Sequence, residues 1–303
     1  MSPLSKKRLK RGAFIGLSLA PSLVIILAFY YFSIFYCFGV SFFKWNMLGA
    51  PKFIGLNNYV LMFTNPDFWN SVKVSFVYAF WAVPFCIVLG LLAGLLLKNA
   101  TFGKSFFRVM LFLPVVISMV VAALIWKWIL NAQAGILNYI LISVSFAKLG
   151  DMPHWMRWVN DPLGGSMAAI LFVGIWKRVG YNAVIFLAGL ENIPLEYYEA
   201  ATLDGANPWQ KFWGITLPLL APVLFFVTVI QIIAALKVSI SPLVMTQGGP
   251  ARSTDVFVLH IYKEAFQNFR MGYASAIAVA VFLLILVFTV LQFRVGEKKV
   301  HYQ

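Results

Sequence analysis

The chain has 303 residues, of which 61% are hydrophobic and 11% charged, with a mean hydropathy of +0.85. A soluble globule carries about a quarter of its residues charged, so this composition excludes one and leaves a bundle of membrane helices with short loops. The formal charge of +14 does not indicate nucleic acid, because the positives cluster at the ends of apolar runs and form no groove or stripe.

In chain order, six stretches have the roughly 20 apolar residues a span needs: 13–40, 74–97, 106–129, 166–190, 219–238 and 272–293. The first follows the basic block Lys6-Lys7-Arg8 with Lys10-Arg11 and is too long for a cleaved leader, so an uncleaved helix is expected. Pro84, Pro114 and Pro222 fall inside spans, where neighbouring groups re-satisfy the freed carbonyls. The run 128–147 is uncharged but holds Asn131, Gln133 and Asn138. Its Ile136, Leu137, Ile140, Leu141 and Val144 repeat at helical spacing, which predicts an amphipathic helix on the outer surface.

Orientation follows from Lys and Arg near the span ends. The N-terminal block, Lys98, Lys104, Arg108, Lys211, Arg294, Lys298 and Lys299 fall on one side. Lys44, Lys52, Lys148, Arg157, Arg252, Lys263 and Arg270 fall on the other. The first set is larger and tighter, so both termini and the segment 194–218 are assigned to the cytoplasm. The domains expected are a basic N-terminus at 1–12, a first span with its outer loop at 13–71, a five-span core at 72–295 and a tail at 296–303.

Catalytic chemistry finds no foothold. Gly103-Lys104-Ser105 resembles the end of a phosphate loop, but Lys98 stands where that loop needs its first glycine. No serine has a nucleophile-elbow context. His154, His260 and His301 are isolated, and Cys37 and Cys86 sit in apolar runs as small hydrophobes, so neither metal nor catalytic residues are expected.

The segment 194–218 is soluble text within a chain written for lipid. Pro194 suits the first turn of a short helix that carries Glu196 and Glu199 and stops at Gly205. Asn207 reads as an N-cap and Pro208 as the first residue of a second helix through Phe212 and Trp213. Glu199-Ala200-Ala201, with Gly205 four residues on and Ile215-Thr216-Leu217-Pro218 after a gap of nine, resembles the EAA motif of ABC-importer permeases. Trp176-Lys177, Tyr181-Asn182, Gly248-Gly249-Pro250 and Gly55-Leu56-Asn57-Asn58-Tyr59 are similar to phrasing in the carbohydrate branch of that family.

The resemblance implies an all-α, six-span permease of the type I ABC-importer fold, in the inner membrane. It would form half of a translocation pathway for a sugar or oligosaccharide. It implies a heterodimer with a second permease, a cytoplasmic ATPase dimer that alone binds ATP and magnesium, and an extracytoplasmic solute-binding protein. That protein would dock on outer loops 41–71 and 131–165 and the segment 248–270. Glu199, Ala200, Ala201, Asp204, Gly205 and Phe212 are then the ATPase-coupling residues.

The tail after Gln292 looks like the glycerol-3-phosphate subgroup, so a polyol phosphate is the alternative cargo. An ATP-independent secondary transporter is the other rival. The pathway candidates are Trp176, Lys177, Arg178, Tyr181, Asn182, Gln231 and Lys237, polar or aromatic residues at or near membrane depth. Asn and Gln there bond neighbouring helices as readily as cargo. Lys127 and Lys237, near span ends, are expected to snorkel outward.

Overall fold

The computed structural model describes residues 3–100, 102–145, 158–159 and 165–296. The tail expected after 296 and most of the outer loop at 146–164 lie outside the described residues. Apart from one two-stranded hairpin, the regular elements among the described residues are helical. The chain divides into two compact units, Met1–Thr64 with Ile261–Val281, and Asn65–His260 with Phe282–Gln303.

In the first unit, helix α1 (Pro3–Ile25) passes through a wide π turn (Ile26–Tyr31) into α2 (Phe32–Val40). The span Phe14–Val40 has a mean hydropathy of 2.2 and no buried residue in its apolar window, so its whole girth is left for lipid or another chain. It ends at a hairpin, where β1 (Phe43–Lys44) pairs antiparallel with β2 (Lys52–Phe53), followed by α3 (Asn57–Thr64). The buried Asn58 amide donates to the carbonyls of Ser41 (2.8 Å) and Phe43 (3.0 Å) and ties the hairpin to α3.

The second unit is organised on a long helix, α4 (Pro66–Asn99). Asn65 caps it by accepting the Asp67 N–H at 2.9 Å, with Pro66 at the first helical position, so it starts earlier than the expected 74. In α4, Gly90 and Gly94 lie one turn apart and let α8 (Gly165–Glu191) approach closely. A Cβ at Gly94 would stand 3.1 Å from both the Ala183 carbonyl and the Phe186 side chain. Around this pair, Ile170, Val173, Phe186, Leu187 and Leu190 are fully or almost fully buried.

The expected third span is broken into two helices, α5 (Lys104–Val116) and α6 (Met119–Ile129), bent by 96° at Ile117–Ser118, with Ile117 extended. Pro114 starts the break, since it donates no N–H and crowds the preceding turn. Among the described residues, five helices are long and apolar enough to cross a membrane, and a sixth if the bent pair counts as one span.

The run after it forms the helix α7 (Ile136–Ser145). Asn138 is buried, donating to the Ala132 carbonyl (3.0 Å) and accepting from the Trp158 indole (2.8 Å), while Ile136 and Ile140 are exposed. The amide is satisfied inward, which leaves isoleucines to face lipid or a partner.

Beyond a short polar segment, α9 (Leu195–Leu203), α10 (Pro208–Lys211) and α11 (Leu217–Leu219) lead into α12 (Ala221–Leu236) and α13 (Ile240–Met245). The last two form one 25-residue candidate span. After α14 (Phe257–Tyr262), α15 (Met271–Gly296) closes the described chain.

Gly180 on α8 faces the backbone carbonyl of Leu111 on α5, where a Cβ would collide with peptide atoms that cannot rotate away. Gly180→Val is expected to cost about 1–3 kcal/mol through overpacking. A lower thermal unfolding midpoint in detergent, with Gly16→Val as an unhindered control, checks this.

Candidate functional site

Two regions bear the predicted functional residues. The first is the polar segment after α8. Pro194 is the N-cap of α9, one residue ahead of its first turn. Gly205, at φ +78°, ends it in a left-handed stop: the Ala206 N–H returns to the Ala201 carbonyl (2.9 Å) and the Gly205 N–H to Thr202 (3.1 Å). Asn207 then starts α10 with a reciprocal cap. Its side chain accepts the Gln210 N–H at 2.9 Å while the Gln210 side chain accepts the Asn207 N–H at 2.8 Å.

Side chains fix the angle between the short helices. The Lys211 ammonium donates to the Thr202 hydroxyl at 2.7 Å, and the Tyr198 and Thr216 hydroxyls lie 3.0 Å apart. Glu199, Ala200, Asp204 and Gly205 are exposed, and Ala201 and Phe212 are half-buried. Phe212 stacks on Trp209 at 6.3 Å and meets Trp213 edge-on. Leu203 is 90% exposed and Trp209 69%, so this knob presents apolar side chains on an otherwise polar segment, the composition of a seat for another protein.

The knob is bound to the helices beneath it. Lys98, in the last turn of α4, donates to the Leu190 carbonyl (3.1 Å) and lies 4.8 Å over the Tyr198 ring. Lys104, at the start of α5, pairs with Glu191 at 2.8 Å.

The second region holds the basic residues at membrane depth. The Lys177 ammonium donates to the carbonyls of Pro114 (3.0 Å), Val115 (3.4 Å) and Ile117, which are left without helical partners where α5 ends at the break. Three donors meet three carbonyls at the negative end of a helix dipole. The broken span and the lysine therefore stabilise each other. Arg178 donates through one nitrogen to Ala234 in the last turn of α12 (3.1 Å). Lys127 does not snorkel outward as expected; it donates to Val244 near the end of α13 (3.1 Å).

The predicted polar residues sort into different places. Asn182 is fully buried, donating to the Cys86 carbonyl at 3.0 Å and accepting from Gln231 at 2.7 Å, a bond chain joining α4, α8 and α12. Trp176 packs edge-on against Trp126 and lines an apolar groove of about 820 Å³ between α4, α5 and α8. Lys177, Arg178, Tyr181, Gln231 and Lys237 instead line one cavity of about 370 Å³ between α8, α12 and α13. Tyr78 and Ser241 also line it and were missed, because neither carries a sequence signal distinguishing it from ordinary helix packing.

Comparison with known proteins adds to this geometry. The family described as "Binding-protein-dependent transport system inner membrane component" matches residues 86–300. The chain is 36% identical to the probable ABC transporter permease protein YurN of Bacillus subtilis, over 93% of this chain and 97% of that one. It is 31% identical to the sn-glycerol-3-phosphate transport system permease protein UgpA of Agrobacterium fabrum, over 94% and 95%. Its fold superposes on a chain of a bacterial ABC transporter involved in import of the acidic polysaccharide alginate, with a TM-score of 0.83, 22% identity and coverage of 96% and 98%.

Lys177→Met would leave the carbonyls at the break unpaired, at a cost of about 1–3 kcal/mol for each fully desolvated group. Lys177→Arg keeps a cation within reach. The methionine variant is expected to unfold at a distinctly lower temperature than the arginine variant in purified, detergent-solubilised protein.

Proposed function

The chain belongs to the family of binding-protein-dependent transport system inner membrane components, and we propose that it is the half-pore through which an ATP-driven importer passes a sugar or oligosaccharide. It is a membrane-embedded permease subunit of such a system, a transport component of the inner membrane. ATP and magnesium bind a separate ATPase dimer, a second homologous permease completes the pore, and both termini face the cytoplasm. The solute-binding protein docks on the outer loops 41–71 and 131–165 and the segment 248–270.

The observation that carries this reading is the knob built by α9 and α10. It is capped at both helices, exposed, apolar at its tip and fixed to two helix ends. Closing of the ATPase dimer on ATP drives the Glu199–Phe212 region. The Lys98 contacts pass that displacement to α4 and α8, and the bundle opens outward. Hydrolysis releases the knob and reopens the cavity inward. A polyol phosphate is the second reading for the cargo, supported by the glycerol-3-phosphate permeases among the relatives.

Gly205→Val forces a β-branched residue into a left-handed conformation it rarely adopts, and Glu199→Lys reverses a charge on the exposed face. Both variants are expected to insert normally and to lower uptake by roughly five- to 150-fold, the span of a 1–3 kcal/mol coupling energy, with ATP hydrolysis no longer stimulated by loaded binding protein. Normal, coupled uptake in both would remove the knob from the mechanism. Glu199→Cys, in a Cys37→Ser, Cys86→Ala background, is expected to react with an impermeant maleimide only from the cytoplasmic side.

A further inference from the structure

The cavity between α8, α12 and α13 contains a concentration of unmet polar groups. Tyr78 Oη, Arg178 Nη1, Gln231 Oε1 and Ser241 Oγ are buried atoms with no hydrogen-bond partner, and all four belong to residues lining this one space of about 370 Å³. Tyr78 and Ser241 are fully buried and Gln231 is 2% exposed. Buried polar atoms are ordinarily paired, and each orphan costs about 1–3 kcal/mol. Four around one void make a set of donors and acceptors shaped for something that enters it.

The charge of the set narrows what enters. Among the described residues, no carboxylate lines the cavity. The ammonium of Lys177 is already answered by its carbonyls at the α5 break. Arg178 is answered on one side only, through the nitrogen that meets Ala234; its other terminal nitrogen is buried without a partner among the described residues. The Tyr78 hydroxyl lies beside that guanidinium without reaching hydrogen-bond geometry. It occupies the space left by Gly174, where a Cβ would collide with it. A guanidinium with a free edge next to a hydroxyl donor, at low dielectric, is a receptor for an oxyanion. The free Gln231 carbonyl and the Ser241 hydroxyl accept and donate toward neutral hydroxyl groups.

We infer that this cavity is a solute-binding site for a polyhydroxylated compound carrying one anionic group, phosphate or carboxylate, with Arg178 and Tyr78 on the anion and Gln231 and Ser241 on hydroxyls. This deepens the permease reading and rests on it. It commits the passage to an anion, where that reading leaves a neutral sugar open.

The test uses the whole transporter, purified through a tag on this chain and held in nanodiscs, with two matched probe pairs: sn-glycerol 3-phosphate against glycerol, and glucuronate against glucose. The anionic member of one pair is expected to bind at least tenfold tighter than its neutral counterpart, and which pair does so identifies the anion. Arg178→Gln, which keeps a donor for Ala234, is expected to abolish that advantage and leave the neutral probe's affinity unchanged. Tyr78→Phe and Ser241→Ala remove only hydroxyls and are each expected to weaken the anionic probe at least threefold if the Arg178 variant fails to assemble. Equal binding of anionic and neutral probes, an anion preference that survives Arg178→Gln, or no binding of any probe overturns the proposal. ATP hydrolysis stimulated through the knob is read separately in the same particles, so loss of the anion site and loss of the permease mechanism give different results.

Discussion

The structure depends on helix ends serving as counter-ions. The chain carries 24 basic residues against 10 acidic ones, and a bare cation at membrane depth is costly. Its cations are matched to carbonyls instead. Lys177 meets the end of α5, Arg178 the end of α12, Lys127 the end of α13 and Lys98 the end of α8. Each pairing removes two penalties at once: the unpaired carbonyls of a terminating helix and the desolvated charge. The partial negative charge of a helix C-terminus makes the match electrostatic as well as geometric. This permits a helix to end inside the bilayer, as α5 does, because the freed backbone is buried against protein.

Local features of this arrangement are legible in the sequence and non-local ones are not. The knob reads correctly because its determinants lie within a few residues: a glycine stop at Gly205, a cap at Asn207 and a proline at Pro208. The spans read correctly because apolar length is a one-dimensional property. The break at Ile117 does not, since Pro114 is equally compatible with a continuous membrane helix. The deciding partner, Lys177, lies 60 residues away. The inward turn of Asn138 has the same origin, since the indole that it meets lies 20 residues further on. The Gly90-Leu91-Leu92-Ala93-Gly94 spacing is a packing signal present in the sequence, but its partner surface on α8 is visible only in the fold. Asn182 and Gln231, ambiguous between cargo and helix, bond each other, while the Gln231 side-chain oxygen is buried without a partner among the described residues.

Consecutive residues on one helix point about 100° apart, which gives the Lys177–Arg178 pair its geometry. One side chain holds the break in α5 and its neighbour holds the end of α12, so α8 grips two other helices at the same height. The far end of α8 is held by Lys98 and by the Lys104–Glu191 pair, next to the knob. Under the proposed mechanism a displacement of the knob would enter α8 at Leu190 and leave it at Lys177 and Arg178. Those attachments differ in stiffness. Lys177 bonds several carbonyls, whereas Arg178 bonds one and keeps a free nitrogen. Were α8 to move, the arginine side would be the one to yield, and both side chains line the cavity. A bound solute that engages the free guanidinium would change the balance between those two attachments, and cargo and knob would then act on the same helix, one at its middle and one at its C-terminal end.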